Sequence, residues 1–367
     1  MRSWLELLRI SNLPTVWTNV ITGGVLTAAF SGRLHAGWLL LVLVSGTCLY
    51  LAGMVLNDVF DVKIDQQERP SRPIPSGRIS RRSATMLGVV LLAVGASLPW
   101  MISIETGITA LVLAGLVVLY ERIHAATAWS VLVMAACRAG LYVMAAFAVI
   151  APTPGSAPIG IMQSGVGAEG LTASGIIATC VFIHVACFSL IARFEVPEVR
   201  NTCPGCGQIV LPDTVTCPEC GAECRAEDRM EDAECRLQRR RGWWGAGTLA
   251  LLFPFIGCCG LYGIITTSEG PGPDGEAFVV IGANLGAMLG LGTYLVVSTR
   301  GLAREPRKVG RFVLRSIAVL TLYDAMLCGI IATNIIGKND DSAIAATIAC
   351  VACFLLVRWG HRRIPGT

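Results

Sequence analysis

Long apolar runs alternate with short polar segments along most of the chain. A transmembrane helix needs about 20 mostly apolar residues. Ten runs come near that length: approximately 13–30, 38–56, 84–104, 106–121, 129–151, 172–192, 244–266, 277–298, 313–335 and 342–358. Pro14, Thr18 and Asn19 interrupt the first, and the fourth is short. The pattern predicts an all-α polytopic transmembrane bundle of about nine to ten helices. Residues 193–242 break it, being hydrophilic and rich in cysteine. The predicted organisation is therefore membrane helices 1–6 over residues 1–192, an insertion over 193–242, and helices 7–10 over 243–367. No cleavable signal peptide is expected, because Arg9 and Pro14 interrupt the first region and it lacks a compact apolar segment before a cleavage site.

Composition supports a membrane protein. Of 367 residues, 54% are hydrophobic and only 15% charged, with a mean hydropathy of +0.64; soluble domains carry about 25% charged residues. Disordered, collagen-like and disulfide-stapled classes are excluded. A net charge of +4 gives no general basic excess, so no nucleic-acid partner is expected. The distribution of the charge is more informative. If the N-terminus is cytoplasmic, 26 of the 29 Lys and Arg fall on cytoplasmic segments, leaving Arg33 and Lys338 outside and Arg138 within a run. By the positive-inside rule this predicts a multi-pass protein, in the cell (plasma) membrane, with the N-terminus and the insertion facing the cytoplasm.

Candidate chemistry concentrates after the second run, in Asn57-Asp58-Val59-Phe60-Asp61-Val62-Lys63-Ile64-Asp65, followed by Glu68-Arg69-Pro70-Ser71-Arg72-Pro73-Ile74-Pro75-Ser76-Gly77-Arg78. At 3.6 residues per turn, Asp58, Asp61 and Asp65 share one narrow stripe. Three carboxylates this close repel one another unless a cation lies between them. Mg²⁺ is typically held by one or two carboxylates together with phosphate oxygens and water. Arg69, Arg72 and Arg78 lie nearby in sequence, and guanidinium groups suit phosphate. Asn57 offers an amide oxygen or donor, and Ser80 is placed to N-cap the next helix.

Asn57-Asp58-x-x-Asp61-x-x-x-Asp65 with Arg69-Pro70-x-Arg72-Pro73-x-Pro75-x-Gly77 resembles the first signature of the UbiA-type membrane prenyltransferases. The resemblance implies Mg²⁺-dependent transfer of an isoprenoid group from a polyprenyl diphosphate to an aromatic or other small acceptor at the cytoplasmic membrane face. It implies that Asp58, Asp61 and Asp65 are catalytic and hold Mg²⁺, with Asn57, Arg69 and Arg72 at the diphosphate. Tyr120 stands where the family has a tyrosine, with His124 near an expected lysine. The family's second acidic motif should follow the sixth run. There the chain reads Ser189-Leu190-Ile191-Ala192-Arg193-Phe194-Glu195-Val196-Pro197-Glu198, without aspartate, and Glu195 is the substrate-site candidate. Glu227, Asp228, Glu231 and Asp232 form a later acidic face. The alternative reading is a non-catalytic isoprenoid-binding or transport component of the same fold.

Fifteen cysteines fall into two populations. Cys203-Pro-Gly-Cys206-Gly and Cys217-Pro-Glu-Cys220-Gly have the spacing of a four-thiolate zinc ribbon, with Zn²⁺ structural and the unit a docking point for a protein partner or a lid over the site. The membrane cysteines read as small apolar packing residues. Arg138, His184, Asn284 and Asp324 are costly within apolar runs and are functional candidates. Arg138 is expected at the substrate, and by charge alone it could pair with Asp324. Trp100, Trp129, Trp243, Trp244 and Trp359 lie near run ends, as interfacial anchors do.

Overall fold

The computed structural model describes residues 2–124, 127–151, 165–192, 309–334 and 341–363, with short pieces between 201 and 223 and the isolated residues 293 and 297. Ten α-helices are described: α1 Arg2–Leu7, α2 Pro14–Ser31, α3 Ala36–Phe60, α4 Val62–Glu68, α5 Arg81–Ser97, α6 Ile104–Ile123, α7 Ser130–Ile150, α8 Gly165–Ala192, α9 Val309–Asn334 and α10 Asp341–Arg363. Two short strands, β1 Asn201–Thr202 and β2 Ile209–Val210, lie in the insertion. Eight of the ten apolar runs thus fall on helices, in an all-α membrane fold. The runs at 244–266 and 277–298 lie outside the described residues, apart from Thr293 and Val297. Residues 224–242 and Trp243, Trp244 and Asn284 also lie outside them.

Local chemistry sets the helix ends. Pro14 opens α2, where its missing N–H costs nothing. Gly32 closes α2 in the left-handed conformation, at φ 64°. Ser80 caps α5 as expected, its Oγ accepting from Ser83 N at 3.0 Å, and Ser103 does the same for α6 through Thr106 N at 3.2 Å.

Seven described helices are long and apolar enough to cross a membrane: α3, α5 with the 3-10 turn that extends it, α6, α7, α8, α9 and α10. Met86, Val89 and Val90 on α5, Leu111 and Val112 on α6, and Ile348, Leu355 and Leu356 on α10 are exposed, as lipid-facing residues would be. Trp100, Trp129 and Trp359 are exposed near helix ends.

The interrupted first run has a packing explanation. α2 packs against α3, α7, α8, α9 and α10, and Thr15, Thr18, Asn19, Thr22 and Thr27 are all fully buried. Its polar residues therefore meet protein rather than lipid, so α2 can be less apolar than its neighbours. Thr27 Oγ1 and Ser174 Oγ, for example, are 2.8 Å apart between α2 and α8. The helices before and after the insertion share one core, in which Leu26, Tyr142, Ile177, Val181, Leu320 and Tyr323 meet.

One face of the bundle gathers the ends that matter for the site. Arg9 meets Asp58, His124 meets Asp61, and His361 Nε2 lies 2.7 Å from Asn12 Oδ1. His184 Nε2 lies 3.3 Å from the Ser316 carbonyl, joining the last third of α8 to the first third of α9. The end of α8 and the start of α9 therefore lie toward the same face of the bundle.

Candidate active site

The acidic stripe sits where α3 passes into α4. Asp61 interrupts the helix at φ −82°, ψ 1°, yet Asp61 N still bonds to Asn57 O at 2.9 Å and Asp65 N to Asp61 O at 2.8 Å. The chain keeps its helical direction across the break, so the three aspartates stay on one side. Asp58 is 4% exposed and Asp65 3%; Asp61 is half-buried. An apolar cluster of Leu7, Val55, Val59, Val62, Ile74, Ile79 and Ala84 seats α1 and the 69–80 loop against this helix end.

Arginines neutralise the buried acids. Arg72 Nη1 donates to Asp65 Oδ2 at 2.7 Å and lies 3.4 Å from Asp58 Oδ1. Arg9 Nη2 meets the same Asp58 oxygen at 3.1 Å. Arg9 has a left-handed backbone, φ 44°, which costs a residue with a Cβ about 1–2 kcal/mol. Its side chain is the one that reaches Asp58 from 49 residues earlier in the chain.

α6 closes the other side. Asn57 Nδ2 donates to Glu121 Oε2 at 3.0 Å, and Glu121 is itself only 4% exposed. His124 Nε2 donates to Asp61 Oδ1 at 2.9 Å, while Nδ1 faces the Glu121 carbonyl at 3.2 Å. With an acceptor at each ring nitrogen, the doubly protonated imidazole is favoured. The Asp61 hydrogen bond accordingly raises the His124 pKa above its usual value, against the opposing effect of burial. Tyr120 stacks on His124 with ring centroids 5.3 Å apart.

A second polar group lies deeper. Arg138 Nη1 donates to Thr15 Oγ1 at 2.7 Å, and the guanidinium carbon lies 5.6 Å from the centre of the Tyr50 ring. The Tyr50 hydroxyl donates to the Arg9 carbonyl at 3.1 Å, linking this group back to Asp58. Asp324 does not pair with Arg138, contrary to the expectation from charge. It accepts from Tyr142 Oη and from Asn19 Nδ2, the latter at 3.0 Å. Helix register puts these neutral donors, rather than the guanidinium, against the carboxylate.

Comparison with known proteins adds to this geometry. Residues 16–194, the segment that holds the acidic cluster and its α6 partners, match the UbiA prenyltransferase family. This matched segment, just under half of the chain, is similar to the UbiA prenyltransferase family. It is 35% identical over 104 residues to digeranylgeranylglyceryl phosphate synthase of Methanocaldococcus jannaschii, covering 28% of this chain and 36% of that protein. It is 35% identical over 122 residues to the Saccharolobus solfataricus enzyme of the same name, covering 33% and 43%. The chain thus spans less than half the length of these relatives in the matched regions. The fold is similar to a solved UbiA homologue from Aeropyrum pernix K1, with a TM-score of 0.56 at 14% identity, covering 87% of this chain and 97% of that one. It is also similar to a solved digeranylgeranylglyceryl phosphate synthase, with a TM-score of 0.55 at 18% identity, covering 91% and 98%.

Within the matched segment the structure brings Asn57, Asp58, Asp61, Asp65 and Arg72 together, with Tyr120 adjoining through His124. Arg138 lies one link deeper. Arg69 is exposed beside the cluster. Arg78 turns away to Glu6 Oε2 at 3.1 Å and to the Ser71 carbonyl, tying the loop to α1. Glu195, Glu198 and the acids at 227–232 lie outside the described residues. Arg9 and Glu121 belong to the site, and sequence reading missed both. The i, i+3 spacing of Glu121 and His124 beside Tyr120 was the available signal for the second.

Proposed function

We propose that the protein is a Mg²⁺-dependent prenyltransferase that moves an isoprenoid group from a polyprenyl diphosphate to a small acceptor at the cytoplasmic face of the cell membrane. The carrying observation is the convergence of Asp58, Asp61, Asp65, Asn57 and Arg72 at one helix end inside the segment that matches the UbiA prenyltransferase family. The relatives named digeranylgeranylglyceryl phosphate synthase support the same activity for this chain, although the matched regions cover only part of each. The orientation rests on the 26 of 29 basic residues assigned to cytoplasmic segments.

The donor set suits Mg²⁺, a hard cation that takes oxygen ligands. Asp58, Asp61 and Asp65 supply carboxylates. Because Asn57 donates its Nδ2 to Glu121, its Oδ1 is the atom left to face a cation or its water. Glu121 is thus a positioning residue. In the reaction the bond between the isoprenoid C1 and the diphosphate oxygen breaks, with the electron pair leaving on the diphosphate. The acceptor forms the new bond to C1 and gives up a proton. Asp58, Asp61 and Asp65 would hold Mg²⁺, which when bound would neutralise the charge that develops on the leaving group. Arg72 and Arg9, already held among the carboxylates, would contribute guanidinium donors to the phosphate oxygens.

Arg138, set over Tyr50 and bonded to Thr15, would hold the polar head of the acceptor below the reacting carbon. A fixed cation at that depth favours an anionic head. The names of the relatives favour a phosphate-bearing glycerolipid over an aromatic acceptor. Tyr120 would border the diphosphate through His124, and Glu195 would supply a carboxylate from the segment after α8.

The test uses full-length protein in lipid nanodiscs with labelled isoprenoid diphosphates and a lipid extract, with and without Mg²⁺. Labelled lipid product that requires Mg²⁺ is expected. A second reading, isoprenoid diphosphate binding without turnover, is favoured by the absence of aspartate from 189–198. Saturable binding with no product from any donor would establish it and overturn the first.

A further inference from the structure

Outside the membrane bundle, the sulfurs of Cys206, Cys217 and Cys220 all lie within 4.8 Å of one another. Cys206 Sγ and Cys217 Sγ are 3.7 Å apart. A disulfide would hold them at about 2.05 Å. Two thiolates on one tetrahedral zinc, each about 2.3 Å from the metal, stand about 3.8 Å apart. The separation thus matches a shared metal rather than a covalent bond.

The backbone supports the same reading. The first Cys-x-x-Cys turn is flanked by β1 and β2, which pair antiparallel with Asn201 opposite Val210 and Thr202 opposite Ile209. The second is flanked by an antiparallel bridge between Thr216 and Glu223. Within it Cys217 N bonds to Ala222 O and Gly221 N to Cys217 O, both at 2.9 Å. Gly221 is left-handed, at φ 70°, a conformation that glycine adopts without a Cβ clash. The two turns therefore present Cys206, Cys217 and Cys220 to one point. Cys217 is buried while Cys206 and Cys220 are exposed, and in a unit this small metal binding can supply the folding energy.

We propose that Cys203, Cys206, Cys217 and Cys220 bind one Zn²⁺ as four thiolates. Cys203 lies outside the described residues and enters through its spacing, three before Cys206 as Cys217 is three before Cys220. Four sulfur ligands in a tetrahedron suit zinc or iron. Cys206 and Cys220 are exposed to solvent, and redox-inert zinc suits a structural four-thiolate site there. Four thiolates leave no open position, so the site is structural and independent of prenyl transfer.

The test is elemental analysis of the full chain, purified in detergent without added metal. About one zinc per chain is expected, falling to near none in Cys217→Ser and in Cys220→Ser and unchanged in Cys48→Ser. Cobalt replacement should give the thiolate charge-transfer and tetrahedral ligand-field bands in wild type. Protein that is folded by thermal melting yet holds no zinc, holds iron instead, or shows these cysteines as disulfides on non-reducing mass spectrometry would overturn the assignment. None of these readouts depends on catalytic activity.

Discussion

Arg72 donates from Nη1 to Asp65 Oδ2 across 2.7 Å, and the same nitrogen lies 3.4 Å from Asp58 Oδ1. One guanidinium thus serves two buried carboxylates seven residues apart. Charge-assisted hydrogen bonds of this kind contribute about 1.5–3 kcal/mol. Arg72→Ala should therefore raise the KM for the isoprenoid diphosphate by roughly ten- to a hundred-fold. Arg72→Lys keeps the charge but loses the planar fork, and should fall between wild type and alanine. Steady-state kinetics over donor concentration distinguish the three.

The interior acid makes a different prediction. Asp324 joins α9 to α2 and α7 through Asn19 and Tyr142. Asp324→Ala leaves both donors buried without this acceptor, a penalty of about 1–3 kcal/mol. Asp324→Asn retains an acceptor oxygen and should cost less. Thermal melting in detergent micelles should rank wild type above asparagine and asparagine above alanine.

Close helix packing can be probed at glycine. A Cβ at Gly23 would lie 2.9 Å from the Tyr142 Cα and carbonyl oxygen, backbone atoms of α7 that cannot swing aside. At Gly115 on α6 it would meet nothing within 4 Å. Gly23→Ala should lower the melting temperature, whereas Gly115→Ala should leave it unchanged or raise it, since alanine favours a helix over glycine by about 1 kcal/mol.

Membrane orientation has its own test. Arg33 lies between α2 and α3, at the end of α3 opposite the acidic cluster, and Lys63 lies in α4 beside that cluster. A fluorescent reporter that folds only in the cytoplasm should be bright when fused after Gln66 and dark when fused after Arg33. The reverse pattern would invert the proposed topology.

Much of the fold was legible in the sequence because a lipid-spanning helix announces itself by length and apolarity. The acidic stripe was legible for a related reason, since Asp58, Asp61 and Asp65 lie within two turns of one helix direction. Contacts made across the bundle left no such local trace. Arg9 reaches Asp58 across 49 residues, and Glu121 reaches Asn57 across 64; both depend on how α1 and α6 pack against α3. Arg138 and Asp324 show the limit of charge matching. Opposite charges suggested a pair, but helix register gave Asp324 to Tyr142 and Asn19 and set Arg138 against Thr15 and Tyr50. The weakness of the first run, read along the sequence as interruption, reflects a central helix whose polar residues are buried against protein.

The most direct measurement of the central claim is Mg²⁺-dependent release of diphosphate from a labelled isoprenoid diphosphate, with acceptor present, compared between wild type and the Asp58→Asn, Asp61→Asn and Asp65→Asn variants. The account predicts release by wild type that stops when Mg²⁺ is chelated, and a loss of at least about a hundred-fold in each variant, of the order seen when a stabiliser of transition-state charge is removed. Release at wild-type rates in folded variants, or in wild type stripped of divalent cations, would contradict it.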